Sequence, residues 1–398
     1  MKTKSTPSST SRRDFLRLAA VSLGTLAGGS SLAGCGKDAP AGRLNTPTAV
    51  PPTSAPLPLP TGTPNPTNAP ALTGTVEPPA LLSTPTQPAV VASPSLPEIV
   101  KFYPTVPSQV VQTHHTGVWS DKTLVPNALR QMLDASITKL TGLNDAREAW
   151  AALFKPGERI AIKVNAFSNS IIWTHVPLVT AVTDSLQDAG IPPEDIVIYD
   201  LSITELKTAG FAINLDGSGV RTTDTVGHPS SEQTEVMKRN IKLASILKEC
   251  DALINMPVLK SHMMSGITFA MKNHYGSYTI PDRLHSGRMT EIAALNALPE
   301  IKERTRLIIG DALAANLRYA GSWPYWKEDW IGDSIFMSFD PVAHDTLGLK
   351  LLTQELEKTG GNPASLIGMA KYALEYGAEL GIGTNDPANM QVSEINLS

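Results

Sequence analysis

Between residues 159 and 340 the chain repeatedly spells a short apolar run that stops at polar residues and gives way to a segment of helical periodicity. The five runs are 159–165, 196–200, 252–259, 306–311 and 334–340. Runs this short, apolar on successive residues, suit strands buried on both faces, as in a parallel sheet. Helical periodicity is read over 126–140, 144–154 with Asn144 as its candidate cap, 177–190, 241–248, 263–274, 341–357 and 363–376. Strands alternating with helices predict an α/β fold, a mostly parallel sheet with helices on both faces.

Two regions precede that domain. Ser11-Arg12-Arg13-Asp14-Phe15-Leu16-Arg17 reads as a twin-arginine export motif, followed by a Gly/Ala-rich apolar stretch and Leu32-Ala33-Gly34-Cys35, the form of a lipoprotein-processing site. Residues 1–34 are therefore expected to be a signal peptide and Cys35 the lipidated first residue of the mature chain. Export would leave the protein lipid-anchored at the outer face of the cell membrane or in the periplasm. Residues 35–98 follow as a linker: 16 of the 32 prolines lie between 38 and 98, with four charges and no aromatic residue. Such a segment cannot bury a core and predicts a disordered Pro/Thr-rich stalk. The globular domain is assigned to 99–398.

Charge and cysteine content narrow the chemistry. Residues 1–34 hold five basic residues and one acid, so their removal takes the net charge from −4 to −8. An acidic body without a basic tract is a poor partner for nucleic acid. The two cysteines are Cys35, claimed by the lipid, and Cys250, which reads as a buried thiol. A Cys-ligated iron–sulfur cluster is therefore not expected.

The polar ends of the apolar runs are the candidate site, because ligands of open α/β sheets bind beyond the carboxyl ends of the strands. Those ends supply Lys163 and Asn165, Asp200, Lys260 and His262, Asp311, and Asp340. Asp340 also precedes a proline-started helix, so a capping role competes. A turn carrying Lys260 and His262 before a helix over 263–274 would place a lysine at an anion-attracting helix start. Lys272 and Asn273 close that segment ahead of Gly276. No zincin motif, nucleophile elbow, P-loop or dinucleotide fingerprint is present. Trp323, Tyr325, Trp326 and Trp330 form an aromatic group that reads as a pocket wall or as core packing.

Several of these positions carry a family resemblance. Ile162-Lys163-Val164-Asn165, Thr174-His175, the block from Asn255 to Gly276, Leu284-His285, the strand ending at Asp311 and Phe339-Asp340-Pro341-Val342-Ala343 resemble, in matching order over about 158–350, the domain of unknown function 362 family. The resemblance implies an architecture and a set of positions, adding His175 and His285, rather than a reaction. Many relatives carry ferredoxin-like cysteine clusters, which this chain lacks.

Two functions fit. The first is an enzyme, metal- or cofactor-dependent, acting on a small anionic substrate, with Lys163, His175, Lys260, His262, Lys272 and His285 as catalytic candidates. Asn165, Asp200, Asn273, Asp311 and Asp340 would bind the ligand, and His175, His262 and His285 are the candidate metal ligands. The second is a non-catalytic solute- or cofactor-binding lipoprotein using the same pocket. The sequence fixes neither a cofactor nor an oligomeric state.

Overall fold

A computed structural model describes residues 96–167 and 170–398. The twin-arginine segment, Cys35 and the Pro/Thr-rich linker lie outside the described residues, apart from the linker's last three positions. The chain enters through β1 (Ser108–His115), a small hairpin of β2 (Trp119–Ser120) and β3 (Thr123–Leu124), then α1 (Pro126–Thr141) and α2 (Ala146–Leu153). Next come β4 (Ile160–Lys163), α3 (Val176–Asp188), β5 (Ile196–Asp200), α4 (Ile203–Thr208) and β6 (Arg221–Asp224). A second hairpin, β7 (Thr234–Val236) and β8 (Arg239–Ile241), leads to α5 (Ile246–Glu249) and β9 (Ala252–Asn255). The segment that follows holds β10 (Val258–His262), β11 (Gly266–Thr268) and α6 (Ala270–Asn273). Then come α7 (Glu291–Asn296), α8 (Pro299–Lys302), β12 (Thr305–Asn316), β13 (Trp330–Ser338), α9 (Pro341–Lys358), α10 (Ala364–Glu379) and β14 (Met390–Leu397).

Ten strands form one sheet in the order β14-β1-β13-β12-β9-β4-β5-β6, with β10 and β11 attached beside β12. Pairing is parallel except for β1–β13, β12–β13 and β10–β11, so the sheet is mixed but mostly parallel. Alternate residues of single strands feed two different cores. Ile160, Ile162, Ile254 and Met337 pack with Leu129 of α1, Trp150 of α2 and Leu178 of α3. Ala161, Leu253 and Phe336 pack instead with Val342 and Leu352 of α9 and Ala373 of α10. Period-two side chains on buried strands thus meet helices on both faces, as the sequence predicts.

Strand β12 positions the site. Its first part pairs with β9, and its second part with β10, after Met256-Pro257 interrupts the β9–β10 run. The Pro257 carbonyl accepts from the Asp311 amide at 2.8 Å, which keeps the chain on β12 while proline breaks the ladder. β10 therefore continues above the carboxyl edge of β4, β5 and β9.

Three local expectations need correcting. Residues 263–274 are not a helix: β10 and β11 form an antiparallel hairpin, and only Ala270–Asn273 is helical. Gly266 sits at φ +74°, and a Cβ there would lie 2.1 Å from the Leu366 carbonyl oxygen. A conformation open mainly to glycine turns the chain where apolar spacing alone suggests a helix. Residues 241–248 likewise split, with Ile241 ending β8 and the helix starting at Ile246. Finally, α2 is capped by Asp145, whose carboxylate accepts from the Glu148 amide at 2.9 Å, not by Asn144. Among the described residues no helix is long and apolar enough to cross a membrane.

Candidate functional site

Lys163 ends β4, opposite Asn255 of β9 and Tyr199 of β5 in the ladder. Its side chain is fully buried, and Nζ donates to Asp200 Oδ1 at 2.6 Å and to the Val164 carbonyl at 2.6 Å. Burial pushes this ammonium below its ordinary pKa, and the Asp200 charge opposes that. The other Asp200 oxygen accepts from the Ala166 amide at 2.5 Å. The pair thus pins the loop that leaves β4.

Amide side chains carry the network onward. Asn273 Oδ1 faces Lys163 Nζ at 3.5 Å and accepts from Asn165 Nδ2 at 3.3 Å, while Asn273 Nδ2 donates to Asn255 Oδ1 at 2.8 Å. Asn165 Oδ1 in turn accepts from Lys260 Nζ at 2.6 Å. Lys163 and Lys260 are therefore joined through two asparagines and share one site. Lys260 is 2% exposed, and its further polar neighbour is the Ile172 carbonyl at 3.5 Å. Its ammonium also lies 5.7 Å from the centre of the Trp326 ring. Every close partner of Lys260 is neutral. Burial first, with the nearby Lys163 charge adding to it, brings Lys260 down to about 7, against opposing pull from Asp200 and Glu205.

Lys272 and His285 form the next part. Lys272 Nζ lies 3.1 Å from His285 Nε2 and 3.7 Å from the centre of the Tyr275 ring. His285 Nδ1 sits 2.9 Å from the Pro281 carbonyl, which can only accept, so the ring proton belongs on Nδ1. Burial and the Lys260 charge hold Lys272 well below its usual value, and burial with Lys272 brings His285 down to about 3. His262 stacks between Trp326 (ring centres 5.6 Å apart) and His285 (6.3 Å). Its Nδ1 accepts from the Met264 and Ser265 amides at 3.1 and 3.2 Å and so holds the β10–β11 turn. Burial, then Lys272, His285 and Lys260, keep this imidazole neutral.

His175 belongs to a separate pair. It precedes α3, and both its amide and its Nδ1 lie 2.8 Å from Asp311 Oδ2. Burial works against its proton, but the Asp311 charge and hydrogen bond outweigh it and raise the pKa. Asp311 is not at a strand end but inside β12, fully buried. The pair reaches the lysine network through the backbone: Thr174 Oγ1 accepts from the Asn165 amide at 2.9 Å and donates to the Met256 carbonyl at 2.7 Å.

Two expectations do not match this placement. His175, His262 and His285 do not gather around a common point; each commits Nδ1 to a different partner. Among the described residues no group of three or more His, Cys, Asp or Glu is arranged to hold a metal. Asp340 stands away from the other strand ends because β13 runs antiparallel to β12, which puts its carboxyl end at the opposite edge. There it caps α9, accepting from the Val342 and Ala343 amides at 2.8 Å, from Thr384 at 2.9 Å and from the Ser108 hydroxyl. Burial lifts its carboxyl to about 6. Cys250 is buried and unpaired, its thiol pushed up to about 12 by burial, as expected of an inert side chain.

Sequence reasoning missed three residues that shape the site. A Cβ at Gly276 would lie 1.9 Å from Asp200 Oδ1 and 2.7 Å from Lys163 Nζ, so glycine there makes room for the ion pair. Asp345 of α9 accepts from the Ala270 and Met271 amides at 2.6 and 3.1 Å, fixing the short helix that presents Lys272 and Asn273. Asn255 ties β9 to both Asn273 and the Ala270 carbonyl. Of the aromatic group, Trp326 is buried over Lys260 and donates to the Ser261 carbonyl at 2.7 Å, whereas Trp323 is exposed. A small pocket bordered by Asn255, His274 and Phe339 among others touches none of the three lysines.

No curated protein matches the chain. Among solved structures, the lactate racemase apoprotein from Thermoanaerobacterium thermosaccharolyticum is similar with a TM-score of 0.33 and 9% identity, over 52% of this chain and 50% of that one. A crystal structure of a Thermotoga maritima protein gives a TM-score of 0.33 and 9% identity, over 66% of this chain and 60% of that one. The chain thus spans half to three-fifths of these structures. The sequence-family comparison covers the site itself, from the first residue of β4 to the middle of α9: residues 160–350 match the model of the family described as Domain of unknown function (DUF362).

Proposed function

We propose that the carboxyl edge of the sheet binds a small anionic compound and that Lys260 supplies its principal counter-charge. The observation that carries this reading is a buried lysine whose close contacts are all neutral: Asn165, the Ile172 carbonyl and the Trp326 ring. An ammonium withdrawn from water without an ion pair costs several kcal/mol, and a bound carboxylate or phosphate offsets that cost. Lys163 differs, because Asp200 already neutralises it. Its part is to hold Asn273 and Asn165 in place.

The same geometry supports an enzyme over a passive binder. A lysine titrating at about 7 gains and loses a proton near neutrality, the condition for general acid–base work. The His175–Asp311 pair offers a second acid–base group on the loop that carries Asn165. Trp326 lies over Lys260 and His262 stacks on Trp326, so the ammonium sits in buried surroundings where each charge interaction is stronger. The competing reading, a solute-binding lipoprotein, uses the same contacts without turnover. Arg12-Arg13 and the Leu32–Cys35 sequence support export and lipid anchoring in either case.

A thermal-melt panel tests the binding. Small carboxylates and phosphates should raise the melting temperature of the wild-type protein at pH 6, and neutral analogues of the same size should not. Lys260→Met should lose the anion-dependent rise while melting no lower than the wild type without ligand. Equal stabilisation of both proteins would remove Lys260 from the site.

A further inference from the structure

We propose that Lys272 is an imine-forming amine, and that the anionic compound carries an aldehyde or ketone carbonyl, as a 2-oxo acid does. This rests on the anion-binding reading above and adds the reacting group. A buried lysine with a purely structural role ends on a carboxylate, as Lys163 ends on Asp200 at 2.6 Å. Lys272, 7% exposed, ends on a base instead, His285 Nε2 at 3.1 Å. The Pro281 carbonyl fixes the His285 proton on Nδ1, so Nε2 presents a lone pair that can take a proton from the amine.

The groups around Lys272 favour a free amine. Lys260 repels a second positive charge, and the neutral rings of His262, His285 and Tyr275 surround the site. Asp282, in the 3-10 turn Pro281–Leu284, is the acidic group that acts in the other direction. Contact with the Tyr275 face favours the ammonium, but less than burial disfavours it. A desolvated lysine beside a second cation is the arrangement that turns an amine into a nucleophile. Lys260 would hold the substrate's carboxylate, and Lys272 would meet its carbonyl.

The step balances without a redox partner. The Nζ lone pair attacks the carbonyl carbon, a C–N bond forms and the carbonyl π pair moves to oxygen. One amine proton passes through His285 Nε2 to that oxygen, giving a carbinolamine. The hydroxyl then leaves with the second amine proton, so one water departs and a C=N bond remains. His285 moves the proton and is regenerated.

Borohydride trapping of the intact wild-type protein tests this, because reduction converts a transient imine into a stable secondary amine that peptide mass mapping locates. Glyoxylate is the probe, acetaldehyde the uncharged control, and oxalate the anion without a reducible carbonyl. The expected result is a glyoxylate adduct on Lys272 at concentrations that leave the exposed Lys358 and Lys371 unmodified. Acetaldehyde should label Lys272 at least tenfold more slowly, and oxalate should protect it. If oxalate raises the melting temperature through Lys260 while glyoxylate leaves Lys272 unmodified, the imine proposal fails and the anion site stands. Equal labelling of Lys272 by glyoxylate and acetaldehyde would overturn the anionic substrate class. No oxalate binding together with no adduct would overturn both.

Discussion

Lys260 shows what a single buried charge commits a fold to. Its pKa falls from 10.5 in the unfolded chain to about 7 in the folded one, so the unfolded chain holds the extra proton between those values. The Lys260 contribution to stability is therefore present above pH 10.5 and lost as the pH falls through about 7. Lys260→Met should flatten that part of the pH–stability curve, a change that denaturation at several pH values would reveal; an unaltered curve would mean that Lys260 is solvated or paired. Anion affinity runs the opposite way, strongest where Lys260 is protonated and weaker by tenfold or more above pH 9. Gly276→Ala places a methyl on the Lys163–Asp200 pair, and a cost of about 1–3 kcal/mol is expected in chemical denaturation. Lys163 and Lys260 were legible in the sequence because a lysine closing an apolar run needs a partner or a ligand. The contact of Lys272 with His285 was not, because the two lie thirteen positions apart and the 3-10 turns His274–Ser277 and Pro281–Leu284 bring them together.

At the scale of elements, the hairpin of β10 and β11 was misread because Leu259, Met263, Ile267 and Ala270 also satisfy helical spacing. The deciding features are the left-handed Gly266 and the two amides held by the His262 ring, which periodicity does not report. The hairpin removes the helix N-terminus that would have attracted an anion and leaves buried lysine side chains in its place. Asp345 shows how one element serves another, since α9 fixes the start of α6 through a carboxylate whose pKa burial lifts from 3.8 to about 7. That raised value stabilises the fold below pH 3.8, and the contribution is lost as the pH rises through about 7. Asp345→Asn should flatten the stability curve over this window. It should also cost about 1–3 kcal/mol at neutral pH, because one of the two amides loses an acceptor. A variant as stable as the wild type, with unchanged anion affinity, would show that α6 is held by other contacts.

For the whole molecule, strand–helix alternation was enough to indicate a mostly parallel sheet covered on both faces, because apolar runs without polar alternation require two cores. Strand direction was not legible. β13 returns antiparallel to β12 and carries Asp340 to the far edge, so four of the five run endings supply the site region and the fifth caps a helix. At the other end of the chain, replacing both Arg12 and Arg13 by Lys should retain the protein in the cytoplasm, as fractionation would show; unchanged export would argue for another route. The charge of Lys260 can be read by an NMR titration of the lysine side-chain carbons, with the Lys260 signal assigned by its loss in Lys260→Met. Lys260 should titrate near pH 7 in the free protein and move upward when a small anion is added. A titration near 10.5, unmoved by any anion, would contradict the anion-binding reading.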